Sequence, residues 1–200
     1  WPIAGSNYNQ NIWGVDSLNV WAFGNAGMIY KWNGSNWGSQ PSGVSRTLNA
    51  AWGLSATQIW IAGTSTILST TDGSTWINKT ISGDLRSIWG FSSSDIWAVG
   101  GAGNIYRNAG TWLPYTSPTP KDLYGVWGAN SQDVWAVGDA GTVLRWDGQK
   151  WSNWFIGTTD YLYAIWGIDA NNVWIAGYNS GVYKWNGKSW KRQKISGVSG

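Results

Sequence analysis

Trp32, Trp146 and Trp185 each stand directly before a turn dipeptide, Asn33-Gly34, Asp147-Gly148 or Asn186-Gly187. Each also follows a base, Lys31, Arg145 or Lys184. That grouping suits carbohydrate: the apolar face of a pyranose stacks on an indole, while an amide, carboxylate or cation bonds the hydroxyls. Two further copies of the pattern carry Thr71 and Asn108 in place of the tryptophan, and a position that accepts Trp, Thr and Asn alike reads as one near the surface. Tyr115, Trp154 and Tyr161 lie in or near the connections between copies, where a rigid scaffold usually carries its binding loops. The candidate carbohydrate-binding residues are therefore Trp32, Asn33, Trp146, Asp147, Trp185, Asn186, Tyr115 and Trp154.

Composition removes most catalytic designs. The 200 residues include no His and no Cys, and all ten acids are Asp. A Ser-His-Asp triad, a Cys-His pair and a zinc site of imidazoles or thiolates are thereby excluded. A sialidase-like site would need a Glu partner and an Arg cluster, but the five Arg are dispersed. The expectation is a non-enzymatic protein with no cofactor and no metal. A calcium site at Asp72 would have one carboxylate per turn, too few to hold the ion. The net charge of +3 owes much to Lys184, Lys188, Lys191, Arg192 and Lys194, which read as a solvated end and not as a nucleic-acid surface. No run approaches the roughly 18 apolar residues of a membrane helix. The chain begins at Trp1 without Met or a signal peptide, which reads as a processed protein or an excised domain, and the expected setting is secreted or cell-surface. Asn33-Gly34-Ser35 and Asn78-Lys79-Thr80 match the glycosylation acceptor pattern, which matters only in a eukaryotic secretory setting.

The elements that must position these residues come from a repeat. A Trp-Gly pair recurs at Trp13, Trp52, Trp89, Trp127 and Trp166, in steps of 39, 37, 38 and 39 residues. Eight residues after each comes a second tryptophan: Trp21, Trp60, Trp97, Trp135 and Trp174. A third closes each unit, at Trp37, Trp76, Trp112, Trp151 and Trp190. Fifteen of the 20 Trp fill these three fixed places and read as packing between units. Within a unit, short runs rich in β-branched and aromatic residues are bounded by Gly, Asn, Asp or Ser, the signature of strands. Ala140-Gly141 supplies a left-handed residue, and Asn33-Gly34 and Asp147-Gly148 are hairpin turns. Asn19, Gln58, Asp95, Asp133 and Asn172 read as turn chemistry, and Thr116 to Pro120 as a stiff connector. No window has an apolar period of 3.6.

Four antiparallel strands repeated about every 39 residues predict an all-β fold: a five-bladed β-propeller in a single domain over 1–200, with repeats at 6–44, 45–82, 83–119, 120–158 and 159–197. The segment Trp1 to Gly5 and the segment from Trp190 both look like an outer strand, one completing the last blade and the other surplus.

The unit, with Val134 to Val137, Gly103 to Arg107 and Asp147 to Trp151 as its signature runs, resembles the tectonin-type β-propeller repeat. Thr71 to Trp76 also looks like a shortened Asp-box turn. Many tectonin-type proteins are lectins of innate defence, so the resemblance implies glycans or glycoconjugates as partners. The expected function is a multivalent lectin with several similar shallow sites, each weak alone and effective together on a glycan-coated surface. The alternative is a protein-interaction or assembly scaffold that binds no sugar.

Overall fold

The computed structural model describes residues 9–179 and 181–195. The segment Trp1 to Gly5, read as a possible outer strand, lies outside the described residues. The chain forms two compact units, Trp1–Leu85 and Arg86–Gly200.

In the first unit, β1 (Asn9–Asp16), β2 (Asn19–Gly24), β3 (Ile29–Trp32) and β4 (Trp37–Gln40) make one antiparallel sheet in sequence order. The next sheet begins with β5 (Leu48–Gly53) and β6 (Ile59–Thr70) and continues through β7 (Ile77–Ser92). Up to Asp84, β7 pairs with β6. From Arg86 it belongs to the second unit and lies next to β8 (Asp95–Gly100), which pairs with β9 (Ile105–Asn108) and that with β10 (Trp112–Tyr115). Two four-stranded sheets follow. The first is β11 (Leu123–Asn130), β12 (Asp133–Gly138), β13 (Val143–Trp146) and β14 (Trp151–Asn153). The second is β15 (Leu162–Asp169), β16 (Asn172–Gly177), β17 (Val182–Trp185) and β18 (Trp190–Arg192).

The expected five blades of four strands are thus corrected to four sheets, because the second and third repeats share one six-stranded sheet. Two local shortenings cause this. Trp76 stands nine residues before Leu85, whereas Trp37, Trp112 and Trp151 stand eleven before Leu48, Leu123 and Leu162. With that connection cut and no proline in it, the outer strand of one repeat runs straight on as the inner strand of the next. The same repeat lacks the Ala-Gly turn, so its second and third strands merge into the 12-residue β6. The shift also moves the variable position by one residue: Thr70, not Thr71, is the counterpart of Trp32, since Ser69 pairs with Ile77 as Lys31 does with Gly38.

Elsewhere the turn is as the sequence predicts. Short 3-10 turns at Asn25–Gly27, Gly101–Gly103 and Asp139–Gly141 hold Ala26, Ala102 and Ala140 at φ 50 to 55°. The glycine that follows is also left-handed, and at Gly141 a Cβ would collide with the Thr158 carbonyl. Its N–H donates to the Asp160 carbonyl at 2.7 Å, so the turn docks the connection leading to the next sheet.

Every four-stranded sheet has two different faces. In β11–β14 the front carries Trp127, Trp135, Val137, Val143 and Arg145; the back carries Val126, Val134, Ala136, Leu144 and Trp146. Within each unit the front of one repeat packs on the back of the next. Trp127, Trp135 and Val143 cluster with Ile165, Val173, Ile175 and Trp185, and Trp97 and Val99 cluster with Val126, Val134, Leu144 and Trp146. Glycine makes room for the tryptophan: a Cβ on Gly167 would lie 2.6 Å from the Trp127 ring, and one on Gly53 would lie 2.7 Å from Trp13. Burying a side chain of this size removes 150–250 Å² from water, worth several kcal/mol at about 25 cal/mol per Å².

Candidate functional site

The sequence-predicted residues fall into three structural classes. Trp146 and Trp185 are only 4% and 2% exposed, so the variable position is interior and not superficial. Their indole N–H groups donate to the carbonyls of Ser131 and Ala170 at 3.2 and 3.0 Å. Their rings meet the central tryptophan of the preceding repeat, Trp146 on Trp97 at 5.1 Å and Trp185 on Trp135 at 5.3 Å. Asn108 fills the same place by donating to the Ser93 carbonyl, which explains why an amide can replace an indole there. Trp32 makes the equivalent bond to the Ser17 carbonyl but is only half-buried.

Tyr115 and Trp154 occupy one equivalent place at the end of the fourth strand and bridge to the next repeat. Tyr115 packs edge-on against Trp97 and Trp146, and Trp154 against Trp135 and Trp185. Asn33, Asp147 and Asn186 close their own hairpins. Each Oδ1 accepts two backbone N–H groups, from Ser35 and Asn36, from Gln149 and Lys150, and from Lys188 and Ser189. These two donors hold the Asp147 carboxyl below the usual carboxylate range.

The cations next to the variable position serve the framework as well. Arg107 and Arg145 lie over Trp97 and Trp135 at 4.8 Å while their Nε atoms donate to Asp95 and Asp133 at 2.9 and 2.8 Å. Lys31 and Lys184 lie over Trp21 and Trp174 at 4.8 and 5.0 Å. There Asn19 and Asn172 stand where the aspartates would be, each donating to the neighbouring Asp16 or Asp169.

The aromatic surface left over by packing lies elsewhere. Three first strands carry a bulge after a buried leucine, visible as a register shift at Leu48/Ala50, Leu123/Gly125 and Leu162/Ala164. A bulge re-aims its side chain out of the ladder. The bulge residues are Asn49, Tyr124 and Tyr163, and Arg86 holds the same place in the third repeat. In the second unit they form a row. Tyr163 lies 5.5 Å from Tyr124 and stacks at 6.0 Å on Tyr161 with its ring inclined by 6°. Tyr161 and Tyr163 are exposed. The Arg86 guanidinium sits 5.0 Å over Tyr124 and pairs with Asp122 at 2.8 Å. The Ala102 N–H and Arg86 together hold the Asp122 carboxyl low, whereas burial and nearby Asp139 push the Tyr124 hydroxyl up. In the first unit, Asn49 at this position is tied to Asp84 and to the Leu85 carbonyl.

Sequence reasoning passed over Arg86, Tyr124 and Tyr163. The available signal was the residue after the Leu that opens four of the five repeats, which varies among Asn, Arg and Tyr. A second concavity, of about 540 Å³, lies between Ala102–Ile105 and Pro114–Pro120 and has no charged residue in its wall. Among the described residues no three carboxylates come together, and no helix is long and apolar enough to cross a membrane.

The sequence matches no family model and no curated protein. The fold does match solved structures. The chain superposes on YCF48 bound to D1 peptide with a TM-score of 0.69 at 16% identity, covering 93% of this chain and 68% of that one. Against the WD40 β-propeller domain of Doa1 the TM-score is 0.77 at 11% identity, covering 96% and 69%. YCF48 from Cyanidioschyzon merolae gives 0.63 at 15%, covering 100% and 89%. The fold is that of a β-propeller repeat protein, carried on four sheets. Identities this low speak for the fold alone.

Proposed function

We propose that the protein is a non-catalytic interaction scaffold that holds an extended peptide segment of a protein partner along Tyr124, Tyr163 and Tyr161, beside Arg86 and Asp122. The observation behind this reading is the division of labour among the aromatics. Trp146 and Trp185, expected to stack on sugars, are enclosed by neighbouring repeats, while Tyr161 and Tyr163 of the tyrosine row are exposed. Tyrosine suits peptide recognition, since a rigid amphipathic ring takes an apolar or proline side chain on its face and a backbone group at its hydroxyl. A similar propeller supports the choice of ligand class, being a complex with a peptide.

A peptide array probed with the full chain tests the reading, with Tyr163→Ala as the variant because its ring is exposed. Truncating one aromatic anchor should weaken the retained peptides about tenfold or more and leave the melting temperature unchanged. A blank peptide array beside a glycan array whose signal free sugar competes away would overturn the scaffold and restore the lectin.

A further inference from the structure

The tyrosine row already holds one guanidinium of the chain's own. Arg86 lies 5.0 Å over the Tyr124 ring, and its Nη1 donates to the Asp122 carboxylate at 2.8 Å. The seat has two parts, a ring face and a carboxylate beside it, and both belong to the second unit. A ring face is electron-rich and attracts a cation, and a planar guanidinium can lie on it while its edge bonds a carboxylate.

One repeat further on, the same two parts recur. Tyr163 takes the place of Tyr124, and its ring and that of Tyr161 are 50% and 45% exposed. The carboxylate is Asp139. Its backbone N–H donates to the Asp122 carbonyl at 2.9 Å, and that of Gly141 donates to the Asp160 carbonyl at 2.7 Å. The Asp139–Gly141 turn is thereby tied to both connections, the one that leads into β11 and the one that leads into β15. Burial first and the Asp139 charge second push up the Tyr124 hydroxyl, so this carboxylate acts on the row, and the Tyr124 ring lies 5.5 Å from that of Tyr163. Asp122 is matched by Arg86, whereas among the described residues the Asp139 carboxylate has no hydrogen-bond or ion-pair partner.

We propose, resting on the peptide-binding reading above, that the bound peptide presents an arginine here, its guanidinium against Tyr163 and Tyr161 and paired with Asp139. Among the described residues, each cation that lies over a ring and pairs with a carboxylate is an arginine, at Asp95, Asp122 and Asp133. The reason is physical. A weakly hydrated fork can stack and bond a carboxylate at once, which a compact, strongly hydrated ammonium does less well.

Three libraries of acetylated, amidated nonapeptides, alike except for a central arginine, lysine or citrulline, test this with the full chain. Citrulline keeps the planar shape and removes the charge. Arginine peptides should bind about tenfold more tightly than citrulline peptides, with lysine between them, and the preference should shrink as salt rises. Asp139→Asn should bring arginine and citrulline peptides to within about twofold of each other. Its melting curve should match the wild type, since Asn25 holds the same place in the Asn25–Gly27 turn. Peptides that bind alike with arginine and citrulline, or an arginine preference that Asp139→Asn leaves intact, would overturn the assignment while the peptide reading stands. Retention from none of the three libraries would overturn both.

Discussion

The sheets β11–β14 and β15–β18 share a sequence pattern almost residue for residue, yet one has both faces covered and the other only its back. In β11–β14, Trp127, Trp135, Val137 and Val143 are all buried on the front, while the equivalent Trp166, Trp174, Ala176 and Val182 range from half-buried to fully open. The residues have adjusted to that difference. The covered sheet places an arginine over its tryptophan and pairs it with Asp133; the half-covered one uses Lys184 and Asn172. Arginine is weakly hydrated and presents a planar fork, so it tolerates enclosure between indoles, whereas a strongly hydrated ammonium suits a face that meets water. The third repeat, with Arg107 and Asp95, follows the covered sheet, whereas the first carries Lys31 and Asn19 although the Trp21 beneath the lysine is fully buried. The arginine–aspartate pair thus stands on covered fronts, while the lysine–asparagine pair occurs on a covered front and on an open one.

The largest effect that can break this comparison is a truncation at one equivalent position in both sheets. Trp127→Ala leaves a cavity facing Gly167 and Trp89 and should cost about 3–5 kcal/mol of unfolding free energy. Trp166→Ala, at a ring that is 59% exposed, should cost about 0.5 kcal/mol or less. Denaturant midpoints at unchanged slope give both values. Equal losses would mean that the front of β15–β18 is covered as fully as that of β11–β14.

A smaller effect sharpens the charge contrast. Asp133→Asn keeps the size of the side chain and removes the partner of a guanidinium that lies among Trp135, Trp154 and Trp185. The expected loss is about 1–3 kcal/mol, in the range of a hydrogen bond to a charged group. Asn172→Ala, which unties only an exposed amide from Asp169, should fall within about 0.5 kcal/mol. The difference between the two midpoints is the quantity to measure. If Asn172→Ala proves the costlier, the arginine pair is not what distinguishes a covered sheet.

The repeat, the strand pairs and the Ala-Gly turns were legible because each is written locally: alternating apolar residues, Gly at left-handed positions, Trp at a constant spacing. The four-sheet count was not, because it depends on two residues missing between Trp76 and Leu85, a change of length that leaves every motif intact. The variable tryptophan misled for a different reason. Interchange of Trp146 with Asn108 reads as surface tolerance, but the position asks only for a group that can donate to a carbonyl fifteen residues earlier, and an amide and an indole both can. The tyrosine row was hidden because the bulge that aims Tyr124 and Tyr163 outward appears only in the register of the paired strands.

The smallest expected effect concerns acid. In β11–β14 the hairpin carboxylate is Asp147 and the β11–β12 turn uses Asn130; in β15–β18 the arrangement is reversed, with Asn186 in the hairpin and Asp169 in the first turn. Backbone N–H donors hold Asp147 and Asp169 below the ordinary carboxylate range, with Lys150 N–H the main cause for the first and Asn171 N–H for the second. A carboxyl whose folded value is depressed stabilises fully above its unfolded value, near pH 4, and loses that contribution as pH falls through the folded one. With no histidine in the chain, the melting temperature should stay level from neutral pH down to about 4 and fall below it. Asp147→Asn keeps the Oδ1 acceptor that Asn33 provides in β1–β4 and Asn186 in β15–β18, so it should lessen the acid decline and leave the neutral plateau unchanged. A melting temperature that already falls between pH 6 and 5 would place the sensitive group outside these turns.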